Sequence, residues 1–441
     1  MFSNKDITRL MIPLIIEQAL AVTIGVADTV MVAYVGETVV SGVSIVDAIN
    51  MLLVQVFAAL ATGGAIVVAQ YLGRQDKSAA CEAAKQLFLV MSAIGATVAT
   101  ICVIWRYDIL RLVYQTVEPA VLEAAQEYFY LTALSVPFFA VYNAGAALFR
   151  SQGNARISMM TALMMNVLNI GGNAVFLFGY QMGARGVGLS TLISRIVGAI
   201  VMLYLVRDSR NKVYVERIFP LNIRPKMVST ILRIGVPTGL ENGMFHFGKL
   251  MVSGLIASFG TVAITANAVA NSLTSVTCIP GSAVGLGMIT IVGQCIGAGA
   301  YDQARHYIKK LLKLAYIIGG ATNILALLFM KQLVGAFFLS PQTAQLAIIV
   351  CSMHAAAWLV FWPPAFAISN GLRAAGDVKF TMIVSVSVMW ACRIGLSYVF
   401  ALYYGMGLIG VWLAMIIDWV VRGAFYMTRF MGTKWHSHNV I

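Results

Sequence analysis

One carboxylate set among apolar turns and three amides on a single helical face are the residues here that could bind a small cation or carry a proton. The carboxylate is Asp28, inside GVADTVMVAYVG. The amides are Asn166, Asn169 and Asn173 in NVLNIGGN, whose spacings of three and four place all three on one side of a helix. A charge held at depth in a membrane costs a few kcal/mol or more to insert, so such a residue is rarely idle. Asp28 with two amide oxygens makes a compact oxygen cage for a hard cation, or a carboxyl that takes up a proton. For the asparagines, interhelical hydrogen bonding is the other open reading, because amides and glycines often hold membrane helices together.

Further polar residues sit in apolar surroundings. Glu17 and Glu241 each follow a proline, Pro13 and Pro237, by four residues. A carboxylate there snorkels, caps a kinked turn, closes an inner gate, or contacts ion or substrate. Glu17 and Asp28 are eleven residues apart, about 16 Å along a helix and only ~20° around it, so they share one stripe. His246 and Lys249 are three apart; they line a substrate cavity or pair with a carboxylate such as Glu241 or Asp47. Asp418 and Arg422, at i and i+4, suit a local ion pair. Trp358, Trp362 and Trp390 suit packing, an interfacial position or stacking on a ligand. There is no HExxH, no GxSxG and no paired intramembrane aspartate, which argues against a membrane enzyme. The six cysteines include no CxxC and read as small buried hydrophobes, so no cofactor is expected beyond a coupling Na⁺ or H⁺.

These residues need long apolar helices to position them, and the composition supplies such helices. The chain of 441 residues is 60% hydrophobic and 11% charged, with mean hydropathy +0.85. Twelve stretches are long enough to span a bilayer: 8–35, 43–72, 83–105, 122–149, 157–179, 185–206, 229–258, 266–297, 308–330, 345–372, 380–403 and 406–429. With the N-terminus inside, cytoplasmic segments hold 23 of the 30 Lys and Arg residues. The net charge of +13 thus reads as topology and contact with anionic lipid, not as a nucleic-acid surface. Both termini are expected in the cytoplasm and the chain in the cell membrane. The first helix carries Glu17 and lacks a small-residue cleavage site, so a retained span is expected.

Residues 13–73 recur without a gap 224 positions later: Pro13/Pro237, Glu17/Glu241, Gly36/Gly260, Gly63/Gly287, Gln70/Gln294 and Gly73/Gly297. A second block, FRSQGN with Arg150 and Gly153, answers LRAAGD with Arg373 and Gly376 at an offset of 223. Six spans per copy insert the two halves the same way up, as a transporter of parallel repeats does. An N-lobe over 1–206, a cytoplasmic linker over 207–226 and a C-lobe over 227–441 are expected. Features that both halves share read as scaffold: Gln70/Gln294 and Arg150/Arg373 with their glycines close helices 2, 8, 4 and 10 against caps and headgroups. Unshared features are the better candidates for chemistry. Asp28 stands opposite Val252, and the three asparagines stand opposite Met389, Cys392 and Leu396. Lys249 is opposite Gly25, Arg393 opposite Ile170 and Asp418 opposite Ser194; Arg195 and His246 also lack counterparts.

On Asp28 in DTVMVAYVG, NVLNIGGNAVFLFG, the LFRSQGN/LRAAGD pair and IVGQCIGAG, the chain resembles MATE (multidrug and toxic compound extrusion) transporters over nearly its whole length. The resemblance implies an all-α integral membrane fold, with twelve transmembrane helices as two pseudo-symmetric six-helix bundles around a central cleft. It implies a secondary antiporter that exports amphipathic, cationic small molecules or drugs in exchange for Na⁺ or H⁺ by alternating access. By the same matching, the cation site falls on Asp28, Asn169, Asn173 and Thr191, and Tyr142 becomes a lining residue with Asn166, His246 and Lys249. Some branches carry a second acidic cluster in helices 7 and 10. Here helix 10 is apolar (AAAWLVFWPPAFAIS) and Glu241 lies one turn early, which favours the branch that couples through the first lobe. A lipid-linked saccharide flippase is the alternative, with Lys249, Arg393 and Arg195 as the cations to hold a pyrophosphate. The expected partners are a small-molecule substrate and membrane lipids, with the chain a monomer that binds no nucleic acid.

Overall fold

The computed structural model describes residues 1–113, 118–216, 222–437 and 440–441. It is all-helical, with no strand among the described residues. Twelve helices run in chain order: α1 Asn4–Ala33, α2 Glu37–Gly73, α3 Lys77–Ile104, α4 Pro119–Ser151, α5 Ala155–Gly179, α6 Gly183–Val206 and α7 Pro225–Ala257. Then come α8 in two pieces (Thr261–Thr277 and Ile279–Gly297), α9 Tyr301–Leu328, α10 Pro341–Ala374, α11 Val378–Tyr403 and α12 Gly407–Met431. Short helices Arg106–Val113 and Met330–Gly335 follow α3 and α9, at corresponding places in the two repeats. The expected linker falls in part on 217–221, outside the described residues.

Each expected span coincides with one of these helices, and the differences lie at the ends. α9 starts at Tyr301 and not at 308, because its first turns YDQARHY are helical yet too polar to count as a span. Among the described residues, eleven helices are long and apolar enough to cross a membrane. The twelfth, α7, has the length at 33 residues, but Glu241, Asn242, His246 and Lys249 dilute its apolar character. α8 is interrupted at Cys278, where Pro280 opens the second piece; a proline is tolerated in a first turn because its missing N–H is unpaired there anyway.

Local chemistry sets the helix ends. Gly36 and Gly260, one repeat apart, take φ of 140° and 88° to turn the chain into α2 and α8, a region that side chains with a Cβ avoid. Asp76 caps α3 by accepting from the Ala79 amide at 2.9 Å. Pro119 and Pro341 occupy the first turn of α4 and α10. α5 widens to π geometry over Ala174–Gly179, just past Asn173, and α11 does so over Met389–Gly395 and Val399–Tyr403.

Packing divides the chain into two compact units, Ile16–Gly239 and Met1–Ile15 with Leu240–Ile441. The lobe bounds of 1–206 and 227–441 concern the repeat in sequence; packing draws its lines inside α1 and α7, just past Pro13 and Pro237. In the first unit α4 packs against α2, α3 and α6. Its buried run Ala140, Ala144, Gly145, Ala146 and Ala147 permits that closeness. In the second unit α10 holds the same place against α8, α9 and α12, around a core rich in tryptophan: Trp358, Trp362, Trp412 and Trp419. Trp358 and Trp362 stack at 5.2 Å, and His354 packs edge-on between Trp412 and Trp419. Two of the three tryptophans singled out in the sequence are therefore core residues. Trp390 is partly exposed and packs on Phe247.

Candidate functional site

Three helices of the first unit, α1, α5 and α6, bring the expected cation residues together. Asn173 donates to Asp28 Oδ1 at 2.6 Å, and the same amide nitrogen lies 3.3 Å from Asn169 Oδ1. Asn169 donates to Thr191 Oγ1 at 3.3 Å, and the threonine hydroxyl donates to the Val187 carbonyl at 3.0 Å. Asn169, Asn173 and Thr191 are buried, while Asp28 is half-buried. The i, i+4 spacing on α5 stacks the two amides, and α6 closes the row with its hydroxyl. Asn173 Oδ1, with its residue 0% exposed, has no hydrogen-bond partner among the described residues. A buried carbonyl oxygen without a donor is uncommon and calls for a ligand. The carboxylate, that amide oxygen and the threonine hydroxyl are hard oxygen donors of the kind Na⁺ takes, and the carboxylate alone serves a proton.

Asn166 does not join them. It donates to the Leu20 carbonyl at 2.8 Å, so its amide ties α5 to α1. The asparagine face thus splits, with interhelical hydrogen bonding correct for Asn166 and a polar cluster at Asn169 and Asn173.

A second acid, considered from the sequence only as a partner for Lys249, stands beside this cluster. Asp47 on α2 accepts from the Tyr128 hydroxyl at 2.9 Å, and both Asp47 and Arg195 lie within electrostatic reach of Asp28. Arg195 donates to Ser135 Oγ at 2.8 Å and lies 4.6 Å over the Phe139 ring. The repeat comparison contained the signal, since Asp47 is answered by the neutral Asn271. Tyr128 is the α4 tyrosine in the electrostatic surroundings of Asp28, and Tyr142 neighbours Glu17 and Arg150.

The two shared glutamates form one device twice over. Arg150 Nη1 reaches Glu17 Oε1 at 2.6 Å, and Ser158 donates to Glu17 Oε2 at 2.7 Å. Arg373 Nη2 reaches Glu241 Oε1 at 2.6 Å, joined by Ser385 at 2.5 Å. Ser385 in turn meets the Tyr426 hydroxyl at 2.6 Å. Both arginines sit in the last turn of their helices, as the sequence suggests, and each also clamps a carboxylate across its own unit, joining α4 to α1 and α10 to α7. Their glycines are turns as expected, with φ of 82° at Gly153 and 91° at Gly376.

In the second unit Asp418, 0% exposed, takes Arg422 Nη2 at 2.9 and 3.2 Å, the expected local pair. Arg393 Nη1 approaches the same carboxylate only to 3.9 Å and lies 5.0 Å over the Phe245 ring. Glu241, one of the partners considered for Lys249, is taken by Arg373 and Ser385, and Lys249 is exposed near Arg393.

The MatE family model matches residues 13–175 and 237–399, one segment in each repeat. A Bacillus subtilis (strain 168) protein named Uncharacterized transporter YisQ is 28% identical, over 96% of this chain and 93% of its own. A Thermotoga maritima protein named Probable multidrug resistance protein NorM is 24% identical, over 99% of this chain and 94% of its own. Among solved structures, the outward-facing conformation of a multidrug resistance MATE family transporter of the MOP superfamily superposes with TM-score 0.90 at 20% identity. That superposition covers 97% of this chain and 96% of the other. The family match spans most of the sequence and reproduces the internal duplication, and the chain therefore belongs to the MatE family of multi-pass membrane transporters and not to a family of enzymes.

Proposed function

We infer that this protein is a multidrug efflux antiporter that exports amphipathic small molecules in exchange for Na⁺ or H⁺. The coupling ion binds Asp28, with Asn169, Asn173 and Thr191 as its polar neighbours. The observation that carries the reading is the buried, partnerless Asn173 Oδ1 beside a membrane-embedded carboxylate. The relatives' names, multidrug resistance among them, support the class of cargo. The protein alternates access between the two sides of the cell membrane, with both termini cytoplasmic and the two six-helix lobes moving as bodies. An ion drives that change only by binding the two states unequally, about 1.4 kcal/mol for each tenfold difference in affinity. With Glu17 and Glu241 held in ion pairs, coupling is assigned to the first half alone, the branch that the apolar helix 10 favours.

Purified protein in vesicles, with a Na⁺ gradient and a pH gradient imposed separately, tests the proposal. One gradient is expected to drive export of a fluorescent amphipathic dye, and Asp28→Asn at equal expression to abolish that drive. Normal gradient-driven export by Asp28→Asn sinks the assignment.

A further inference from the structure

The second unit carries a cationic pair that its own carboxylates leave uncompensated. The charged groups of this unit's α7, α10, α11 and α12 are Lys249, Arg373, Lys379, Arg393, Arg422 and Arg429 against Glu241 and Asp418, with Asp377 before α11 held by Arg429 at 2.6 Å. Arg373 has Glu241 at 2.6 Å and Arg422 has Asp418 at 2.9 Å, so both acids are committed. Arg393 keeps only a 3.9 Å approach to an Asp418 already taken, although its side chain is 11% exposed. No carboxylate forms an ion pair with Lys249 among the described residues. For Arg393, with so little of its side chain exposed, a missing counter-charge is costly, and the exposed Lys249 beside it adds a second positive charge.

The two cations also converge. Phe245 and Lys249 are i and i+4 on α7, so Lys249 sits one turn beyond the ring that the Arg393 guanidinium covers at 5.0 Å. Gly248 packs against Met389 and Ile394 and brings α7 and α11 together at this level. His246 lies one turn before Lys249 on the same side, edge-on to Phe245 at 6.0 Å. In the other repeat the columns of Lys249 and Arg393 hold Gly25 and Ile170, so the feature is as one-sided as Asp28.

We propose that Lys249 and Arg393 bind a carboxylate group of the exported molecule, so that the cargo is an amphipathic acid or zwitterion and not a simple organic cation. One ammonium and the free edge of one guanidinium offer the few donors that a carboxylate's two oxygens need. A phosphate or pyrophosphate calls for more, and the backbone amides of mid-helix α7 are already bonded within the helix. The part of the Phe245 ring left exposed beside them supplies an apolar contact for the rest of the molecule. The inference rests on the exporter reading above and names the cargo of that exporter.

The test is equilibrium binding to the purified full-length protein in nanodiscs. The probes are a xanthylium dye with a free benzoate and the methyl ester of the same dye. The wild type is expected to bind the acid about tenfold more tightly than the ester. Lys249→Gln should abolish that preference, and Lys249→Arg should keep it. Lys249 is exposed, so its variants leave the packed core intact; melting temperatures equal to wild type confirm this. Three outcomes overturn the proposal: equal or tighter binding of the ester, a preference that survives Lys249→Gln, or no binding of the acid. Displacement of the dye by a prenyl diphosphate more strongly than by a prenyl carboxylate of equal length also overturns it, in favour of a diphosphate headgroup. If the acid preference holds while neither imposed gradient drives export, the antiport reading fails and the carboxylate site stands.

Discussion

Asn173 gives one amide proton to Asp28 at 2.6 Å while its own oxygen, buried beside that carboxylate, receives none from the described residues. The same α5 face carries Asn166, whose amide is spent on the Leu20 carbonyl. The two asparagines are seven residues apart and belong to different tasks.

Asn173→Ala should therefore reduce ion-driven dye export at least tenfold, with little change in melting temperature, whereas Asn166→Ala should lower stability by about 1–2 kcal/mol and leave coupling intact. Initial export rates in vesicles under each gradient, beside thermal melts, make the comparison. Equal loss of coupling in both variants contradicts the division.

The glutamate clamps predict strong thermodynamic coupling. Breaking a buried ion pair from one side costs about 3–5 kcal/mol because the other charge is stranded. Glu17→Ala and Arg150→Ala should each lower the melting temperature markedly, and the double variant by much less than their sum. Glu241 and Arg373 should repeat the pattern in the second unit. Additive effects at either pair count against the clamp.

Repeat-equivalent glycines should respond unequally. A Cβ at Gly63 meets the Gly235 nitrogen at 2.6 Å and the Ile231 carbonyl oxygen at 2.8 Å, all backbone. A Cβ at Gly287 meets the tip of the flexible Met11 side chain, which can swing aside. Gly63→Ala is expected to destabilise by about 1–3 kcal/mol and Gly287→Ala by clearly less. Thermal melts of the two variants side by side decide it.

Thiol labelling checks the topology. Cys81 is partly exposed and lines a cavity of about 780 Å³ with Lys77, Glu82, Lys85 and Tyr214, whereas Cys102, Cys295 and Cys351 are buried. An impermeant maleimide should label Cys81 in inside-out vesicles and not in right-side-out ones. The reverse pattern inverts the orientation.

The spans were legible in the sequence because helix length against bilayer thickness is a local property, readable one stretch at a time. The break at Cys278 was not, because α8 is apolar on both sides of it. Asp28 with Asn169, Asn173 and Thr191 came through by comparing the two halves column by column and by the family resemblance. The clamps did not, since Glu17 and Arg150 are 133 residues apart and each looked sufficient alone, one as a gate and one as a cap. Tyr128 was missed for the same reason: its role is set by Asp47, 81 residues away, and no spacing encodes that pairing.

The first fifteen residues pack with the second unit, and α7 up to Gly239 packs with the first. Each bundle is thus completed by the opening turns of a helix that continues in its twin. Severing the chain between α6 and α7 should leave two fragments that are stable together and neither alone.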